Sequence, residues 1–356
     1  MAKMTTLSDE LAGQEPGERL RPTMRDVAAL AGVSLKTVSR VINAEPAVSA
    51  ELLTRVQRAI DQLDYRPNLT ASSLRRNDGK TATVGLVLED LANPYSAAVT
   101  RAVEDAARPR RVTVVAGSVD EDPDRERALV REFVARRVDG LIVAPTASDQ
   151  SYMIGDRRAG TVLVFVDRPP KHLDADVIVA ANRDGAMDGV RHLLAGGHRR
   201  IAFLGDLSTI STASERYGGY LEALERAGLP VDDTIVRRDL RSVGAAQAAV
   251  EELLHLTVPP TAIFAAQNVL GIGAFAALRG QRRQFDVALV GFDDFPLADL
   301  LDPGVTVVAQ DPVAIGRLAA ETLFRRLDGD RSPSTVQVVP TRLIVRGSGE
   351  IAPPVD

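Results

Sequence analysis

The sequence contains no cysteine, which excludes a disulfide scaffold and Cys-ligated zinc and fits a reducing compartment. Its four histidines, His172, His192, His198 and His255, are scattered without metal-ligand spacing. No apolar run reaches the length of a membrane span. The polar opening MAKMTTLSDELAGQEPGERL has no apolar region of the kind a secretory signal needs. A cytoplasmic protein with no membrane contact is expected. Neither a G-x-S-x-G elbow nor a Walker A motif occurs, and nothing pairs the plentiful carboxylates.

What is present is ordinary globular composition: 356 residues, 45% hydrophobic and 26% charged, enough for a small head and a larger two-lobed body. Residues 1–20 read as a disordered polar tail. The net charge of −5 is uneven. Residues 21–80 carry ten Lys/Arg against six Asp/Glu, while the tail and residues 81–356 are acidic. A basic head on an acidic body points to a polyanion that meets the head alone.

The head, residues 21–66, reads as three short helices. Thr23 caps a run with apolar Val27, Ala28, Leu30 and Ala31, and Gly32 breaks it. Ser34 caps a second helix whose apolar positions are Val38, Val41 and Ile42. Its other face carries Leu35, Lys36, Thr37, Ser39 and Arg40. Ser49 opens a third, running to about Leu63. Two short helices joined by a Gly-containing turn and braced by a third form a helix-turn-helix unit. Three such helices alone fit a bundle fragment with no DNA role equally well.

Residues 67–80 (PNLTASSLRRNDGK) have weak helix drive and are too short to be stable alone, which on composition reads as a linker. From residue 81 onward, apolar β runs alternate with amphipathic helices. TVGLVLE, VTVVAG, DGLIVAP and TVLVFVD form one series, with helices near 95–107, 124–136 and 150–159. RIAFLG, TAIFAA, VALVGF and VTVVAQ form a second, with helices near 183–195, 216–227, 244–255 and 268–279. This pattern predicts an α/β body of two lobes, each a doubly wound parallel sheet. Ligands in such folds sit outside the carboxyl ends of the strands. The candidates by that rule are Asn93, Tyr95, Asp167, Arg168, Gln267, Asn268, Asp293 and Asp294, a donor–acceptor mixture suited to a polyhydroxylated ligand or, singly, to helix caps and loops.

The string A-G-V-S-x-x-T-V-S-R-V-I-N (residues 31–43), with Tyr65-x-Pro67-Asn68 behind it, resembles the DNA-binding region of the LacI/GalR (lactose-repressor) family. The rest of the chain to about Gly349 is similar to that family's periplasmic-binding-protein-like sensor. The resemblance implies a dimeric repressor of a palindromic double-stranded operator, released by a small molecule such as a sugar, with no cofactor. It implies base-reading roles for Leu35, Lys36 and Arg40, Lys36 either reading a base or neutralising a phosphate. Ser34, Thr37, Ser39 and Asn43 match positions that grip phosphates or brace the helix, and Tyr65 and Asn68 belong to the same DNA-binding set. Residues 67–80 become a hinge helix, with Ala71 at the close approach of two copies, Leu74 as a minor-groove wedge and Arg75 and Arg76 beside phosphates. Effector contacts implied in the body are Tyr95, Asp167, Arg168, Thr212, Arg216, Gln267, Asn268 and Asp293. The pair Gln267-Asn268 departs from the family's usual Asn-Asp. No leucine heptad follows Gly349, so a dimer without a tetramer-forming tail is expected.

Two other classes compete. Gly271-Ile-Gly273-Ala-Phe-Ala276 is formally a dinucleotide fingerprint of an enzyme, but its glycines lie past the strand TAIFAA and inside the next predicted helix. A solute-binding transport protein would share the two-lobed body, but the attached head and the polar N-terminus argue against it.

Overall fold

The structure, a computed structural model, describes residues 22–42, 48–66 and 80–354. They fall into two compact units that divide between residues 79 and 80. Asn43, Asn68, Ala71, Leu74 and Arg75, singled out by sequence, lie outside the described residues.

The head holds helices α1 (Met24–Ala31), α2 (Leu35–Ile42) and α3 (Ala50–Leu63). Thr23 and Asp26 form a reciprocal capping box on α1, and Gly32 ends that helix at φ 60°, a conformation that costs a Cβ-bearing residue dearly. The Ser34 hydroxyl accepts from the Thr37 amide at 3.1 Å, and Ser49 does the same for Leu52 at 3.4 Å. Val27, Ala28, Ala31, Val38, Val56, Ala59 and Tyr65 close the core between the three helices.

In the body, strands β1 (Thr83–Leu88), β2 (Thr113–Ser118), β3 (Gly140–Val143), β4 (Val162–Val166) and β5 (Asp176–Ala180) build the first sheet. Between them run α4 (Pro94–Ala107), α5 (Pro123–Ala135) and the short α6 (Ile154–Arg158). The second lobe holds α7 (Asn182–Ala195), β6 (Ile201–Leu204), α8 (Ser211–Arg226), β7 (Val236–Arg237) and α9 (Val243–Leu254). It continues through β8 (Ala262–Ala265), α10 (Asn268–Gly280), β9 (Ala288–Phe292) and β10 (Thr306–Ala309). The chain then returns to the first lobe for α11 (Pro312–Leu327) and β11 (Val336–Val339), and back to the second for β12 (Arg342–Ile344).

Sheet order is β11-β5-β4-β3-β1-β2 in the first lobe and β12-β10-β9-β8-β6-β7 in the second. All neighbours are parallel except the edge pair β10–β12. Each sheet has two separate apolar cores, one per face: Leu86 and Ile142 look toward α4 and α11, Val87 and Leu141 toward α5. Burial on both faces is why these strands read as unbroken apolar runs instead of alternating ones.

The sequence reading differs from the structure in places. The predicted helix at 150–159 is a 3-10 turn (Ser151–Met153) followed by α6. The helix predicted from 216 begins at Ser211. β5, β7, β11, β12 and α11 were not predicted, although Asp311 caps α11 by accepting from Ala314 N at 2.8 Å with Pro312 in its first turn, a legible start signal.

Gly271 and Gly273 both lie within α10 and form no strand-to-helix turn. A Cβ on Gly273 would strike the Val243 carbonyl and sit 2.7 Å from Ala246 Cβ, so this glycine lets α10 cross α9 closely. A Cβ on Gly271 would meet nothing nearer than Gly291 Cα at 3.9 Å. Gly273→Ala should therefore cost about 1–3 kcal/mol, while Gly271→Ala should be neutral or stabilising by up to about 1 kcal/mol. Chemical denaturation of the two variants checks this; equal losses would mean the glycines act through something other than helix crossing.

Candidate functional site

In the head, α2 buries Val38 completely against the three-helix core and turns Ser34, Leu35 and Lys36 to the surface. Thr37, Ser39 and Arg40 are half-buried along the same helix. The Arg55 guanidinium reaches from α3 to the Gly32 carbonyl at 3.2 Å, tying the turn before α2 to its brace. No acidic residue occupies the first turn of α2, whereas α1 carries Asp26 and α3 carries Glu51 there. The positive end of α2 is thus left for an external anion. The Ser34 and Thr37 hydroxyls lie 2.9 Å apart at that end. Tyr65, grouped by sequence with the DNA contacts, is only 8% exposed and belongs to the head's core, so most of it has no surface to offer DNA.

In the body, residues that follow strand ends line one cavity: Glu89 after β1, Asp167 and Arg168 after β4, Asp206 after β6, Gln267 after β8, Asp293 after β9 and Gln310 after β10. Asn93, Tyr95, Thr212 and Arg216 complete the polar wall. The cavity measures about 50 Å³, room for a few water molecules. Asp167 and Asp293 hold corresponding places in the two lobes. Each sits at positive φ, 68° and 69°, and each amide donates to the neighbouring strand, to Ile178 O at 3.1 Å and Val308 O at 2.8 Å. Such conformations are costly and cluster where side chains must be aimed.

Arg216, buried on α8, donates from Nε to Asn182 Oδ1 at 2.8 Å and from one terminal nitrogen to Ala266 O at 2.8 Å and Asp293 Oδ2 at 3.3 Å. Its guanidinium lies 3.9 Å from the Phe292 ring centroid. Arg168 makes a fork on Glu121 at 2.7 and 2.9 Å and donates from Nε to Asp167 at 3.0 Å. Gln310 donates to Asp293 Oδ1 at 2.6 Å. Burial pushes the Asp293 carboxyl and the Tyr95 hydroxyl up in pKa. Burial, then the neighbouring Glu121, push Glu89 up to about 7.

The sequence-predicted residues do not all converge. Tyr95, Asp167, Arg168, Thr212, Arg216, Gln267 and Asp293 line the cavity. Asn268 does not: its Nδ2 donates to Asn93 Oδ1 at 3.1 Å, linking second lobe to first, while its Oδ1 accepts from Val269 N. Asp294 is likewise withdrawn, in a two-point pair with Arg346 at 2.8 and 2.9 Å. Glu89, Asp206 and Gln310 were missed, though each follows an apolar strand and the rule that found the others applies to them. Glu121 had no such signal, since only the fold brings it to Arg168. His198 is structural: it is fully buried, bonds Ile351 O at 2.8 Å and the Thr261 hydroxyl at 2.9 Å, and burial lowers its pKa. Among the described residues no helix is long and apolar enough to cross a membrane, and no group of His, Asp and Glu could hold a metal ion.

Comparison with known proteins matches both parts of the chain. Residues 23–68 match the family "Bacterial regulatory proteins, lacI family", and residues 190–349 match a periplasmic binding protein-like domain. The HTH-type transcriptional regulator PtxS of Pseudomonas aeruginosa is 35% identical over 93% of this chain and 96% of its own length. The HTH-type transcriptional repressor CytR of Escherichia coli K12 is 28% identical over 93% of this chain and 97% of its own. Among solved structures, the lac repressor dimer bound to operator and the anti-inducer ONPF superposes with a TM-score of 0.81 at 27% identity, over 94% of this chain and all of that one. A complex of the regulator CelR with cellobiose gives 0.68 at 32% identity, over 92% of this chain and all of that one. These relatives are transcription regulators, not enzymes.

The raised pKa of Glu89 fixes a sign. Its folded-state value, about 7, lies above the ordinary 4.5, so stability falls as pH rises between the two and the ionised, buried form is the costly one. Glu89→Gln should therefore raise the melting temperature relative to the parent protein at pH 8 and leave it nearly unchanged at pH 4. Thermal unfolding at both pH values checks this; a difference that is the same at both would remove the burial argument.

Proposed function

This chain belongs to the lacI family of bacterial regulatory proteins, and from that premise we propose that it represses transcription as a homodimer on a palindromic operator, with release by a sugar or sugar derivative. The observation that carries the reading is α2: a capped helix clamped by α1 and α3, with a positive amino end, Leu35 and Lys36 exposed and Arg40 half-buried one turn on. Such a helix fits the major groove, where Arg40 would meet a guanine edge through two parallel hydrogen bonds and Leu35 a thymine methyl. We assign residues 1–20 as a tail, 21–66 as the DNA-binding domain, 67–80 as the hinge and 81–356 as the effector and dimerisation body.

The strand-end cavity is the proposed effector site, with Tyr95, Asp167, Arg168, Thr212, Arg216, Gln267 and Asp293 as contacts. Its small volume means that a sugar enters only when the lobes or their side chains move apart. DNA affinity then changes by the effector's differential affinity for the two lobe arrangements. A second copy of the chain is the proposed occupant of an apolar patch on the second lobe around Ile272, Phe275, Phe295 and Leu301, where Leu297 is 64% and Leu300 74% exposed.

Three outcomes are expected. In binding to genomic fragments beside its own gene, at two salt concentrations and with a panel of sugars, the protein should occupy a short palindrome that one compound vacates. Arg40→Ala should weaken that binding by about 1–3 kcal/mol and relax preference at one base pair; an equal loss on every sequence would make Arg40 a phosphate contact. Leu297→Glu should shift the protein toward monomer in sedimentation equilibrium at micromolar concentration, and an unchanged dimer would move the interface elsewhere.

A further inference from the structure

The charges around the cavity do not balance. Five carboxylates (Glu89, Glu121, Asp167, Asp206 and Asp293) face two guanidiniums, Arg168 and Arg216. Both guanidiniums are already engaged, Arg168 by Glu121 and Asp167, Arg216 by Asn182, the Ala266 carbonyl and Asp293. Among the described residues, neither Glu89 nor Asp206 has a Lys, Arg or His partner within ion-pair distance. Arg241 is a further cation near Asp206, and it donates to the Asp120 carbonyl. An anionic ligand would find no uncommitted positive group here, whereas a cation would find two carboxylates.

Glu89 and Asp206 come from different lobes, Glu89 just past β1 and Asp206 just past β6. The same cavity holds two buried polar atoms without a hydrogen-bond partner, the Tyr95 hydroxyl and the Gln310 Oε1. These suit ligand hydroxyls, a donor for one and an acceptor or donor for the other. Burial raises the pKa of both Glu89 and Asp206, Glu89 to about 7, and an ammonium group between them would favour their ionised forms.

We infer that the effector is a polyol bearing a protonated amine, held between Glu89 of the first lobe and Asp206 of the second, and that phosphorylated or carboxylated sugars are rejected. This rests on the reading of the cavity as the effector site. A cation bridging carboxylates of opposite lobes draws the lobes together, which supplies the differential affinity that control of DNA binding requires.

The test uses the full-length protein at neutral pH in an amine-free buffer. Three probes are compared by calorimetry: tris(hydroxymethyl)aminomethane, its uncharged analogue tris(hydroxymethyl)ethane, and inorganic phosphate. The amine should bind at least about fivefold more tightly than the uncharged analogue, the size of effect one partly exposed ion pair gives, and phosphate should not bind the cavity. Glu89→Gln and Asp206→Asn, which keep shape and remove charge, should each abolish the amine's advantage. Equal or tighter binding of the uncharged analogue or of phosphate, or an advantage that survives in both variants, overturns the charge assignment alone. Failure of both polyols to bind while the protein still binds DNA overturns the effector cavity itself.

Discussion

Parallel strands can be covered on both faces only if each crossover returns the chain to the same end of the sheet. That constraint brings the carboxyl ends of β1, β3, β4, β6, β8, β9 and β10 to a common cavity, where the side chains just past them line its wall. Much of the polar wall of the body's candidate site follows from it. The strands themselves are mostly Val, Leu, Ile, Phe, Ala and Gly, so the chemistry comes from the positions just after them and from the helices that follow, which add Asn93, Tyr95, Thr212 and Arg216.

Within that ring, electrostatics decides which side chains can turn toward a ligand. Arg216 donates to Asn182, Ala266 and Asp293, and lies against Phe292. These contacts fix its guanidinium beside Asp293. Arg168 does the same for Asp167, with Glu121 as the counterweight. Two aspartates in left-handed backbone conformations, each locked by a buried arginine, give the cavity a quasi-symmetric pair of acceptors, one per lobe. The head solves a different problem. There a short, intrinsically weak helix is made stiff by caps at its start and by Val38 beneath it.

Much of this could be read from the sequence because the signals were local. Caps at Thr23, Ser34 and Ser49 and the break at Gly32 are short-range chemistry, and the apolar β runs announce strands buried on both faces. The strand-end rule placed Asp167, Arg168, Gln267 and Asp293 correctly beside the cavity. Glu89, Asp206 and Gln310 follow β1, β6 and β10 in the same way, so the rule extends to them. What could not be read depends on distant pairing. Asn268 looked like a ligand contact until the fold brought Asn93 to it from 175 positions away. Tyr65, placed with the DNA contacts by the family resemblance, instead packs into the three-helix core. β11 and β12 are short edge strands whose partners, β5 and β10, lie far upstream, and nothing in their own residues names those partners.

The chain passes between the lobes three times, near residues 181, 310 and 340. During synthesis the ribosome therefore delivers the two lobes out of step. By the time β5 emerges, the first sheet still lacks β11, and α4 lacks the helix that covers its apolar side, until residues 312–339 have been made. The second lobe likewise waits on one strand, β12, from residue 309 onward, so both sheets close only when the last stretch of the body, residues 336–344, has been made. A nascent chain truncated before residue 312 would present an open sheet edge and a bare helix flank, the features that quality-control machinery captures.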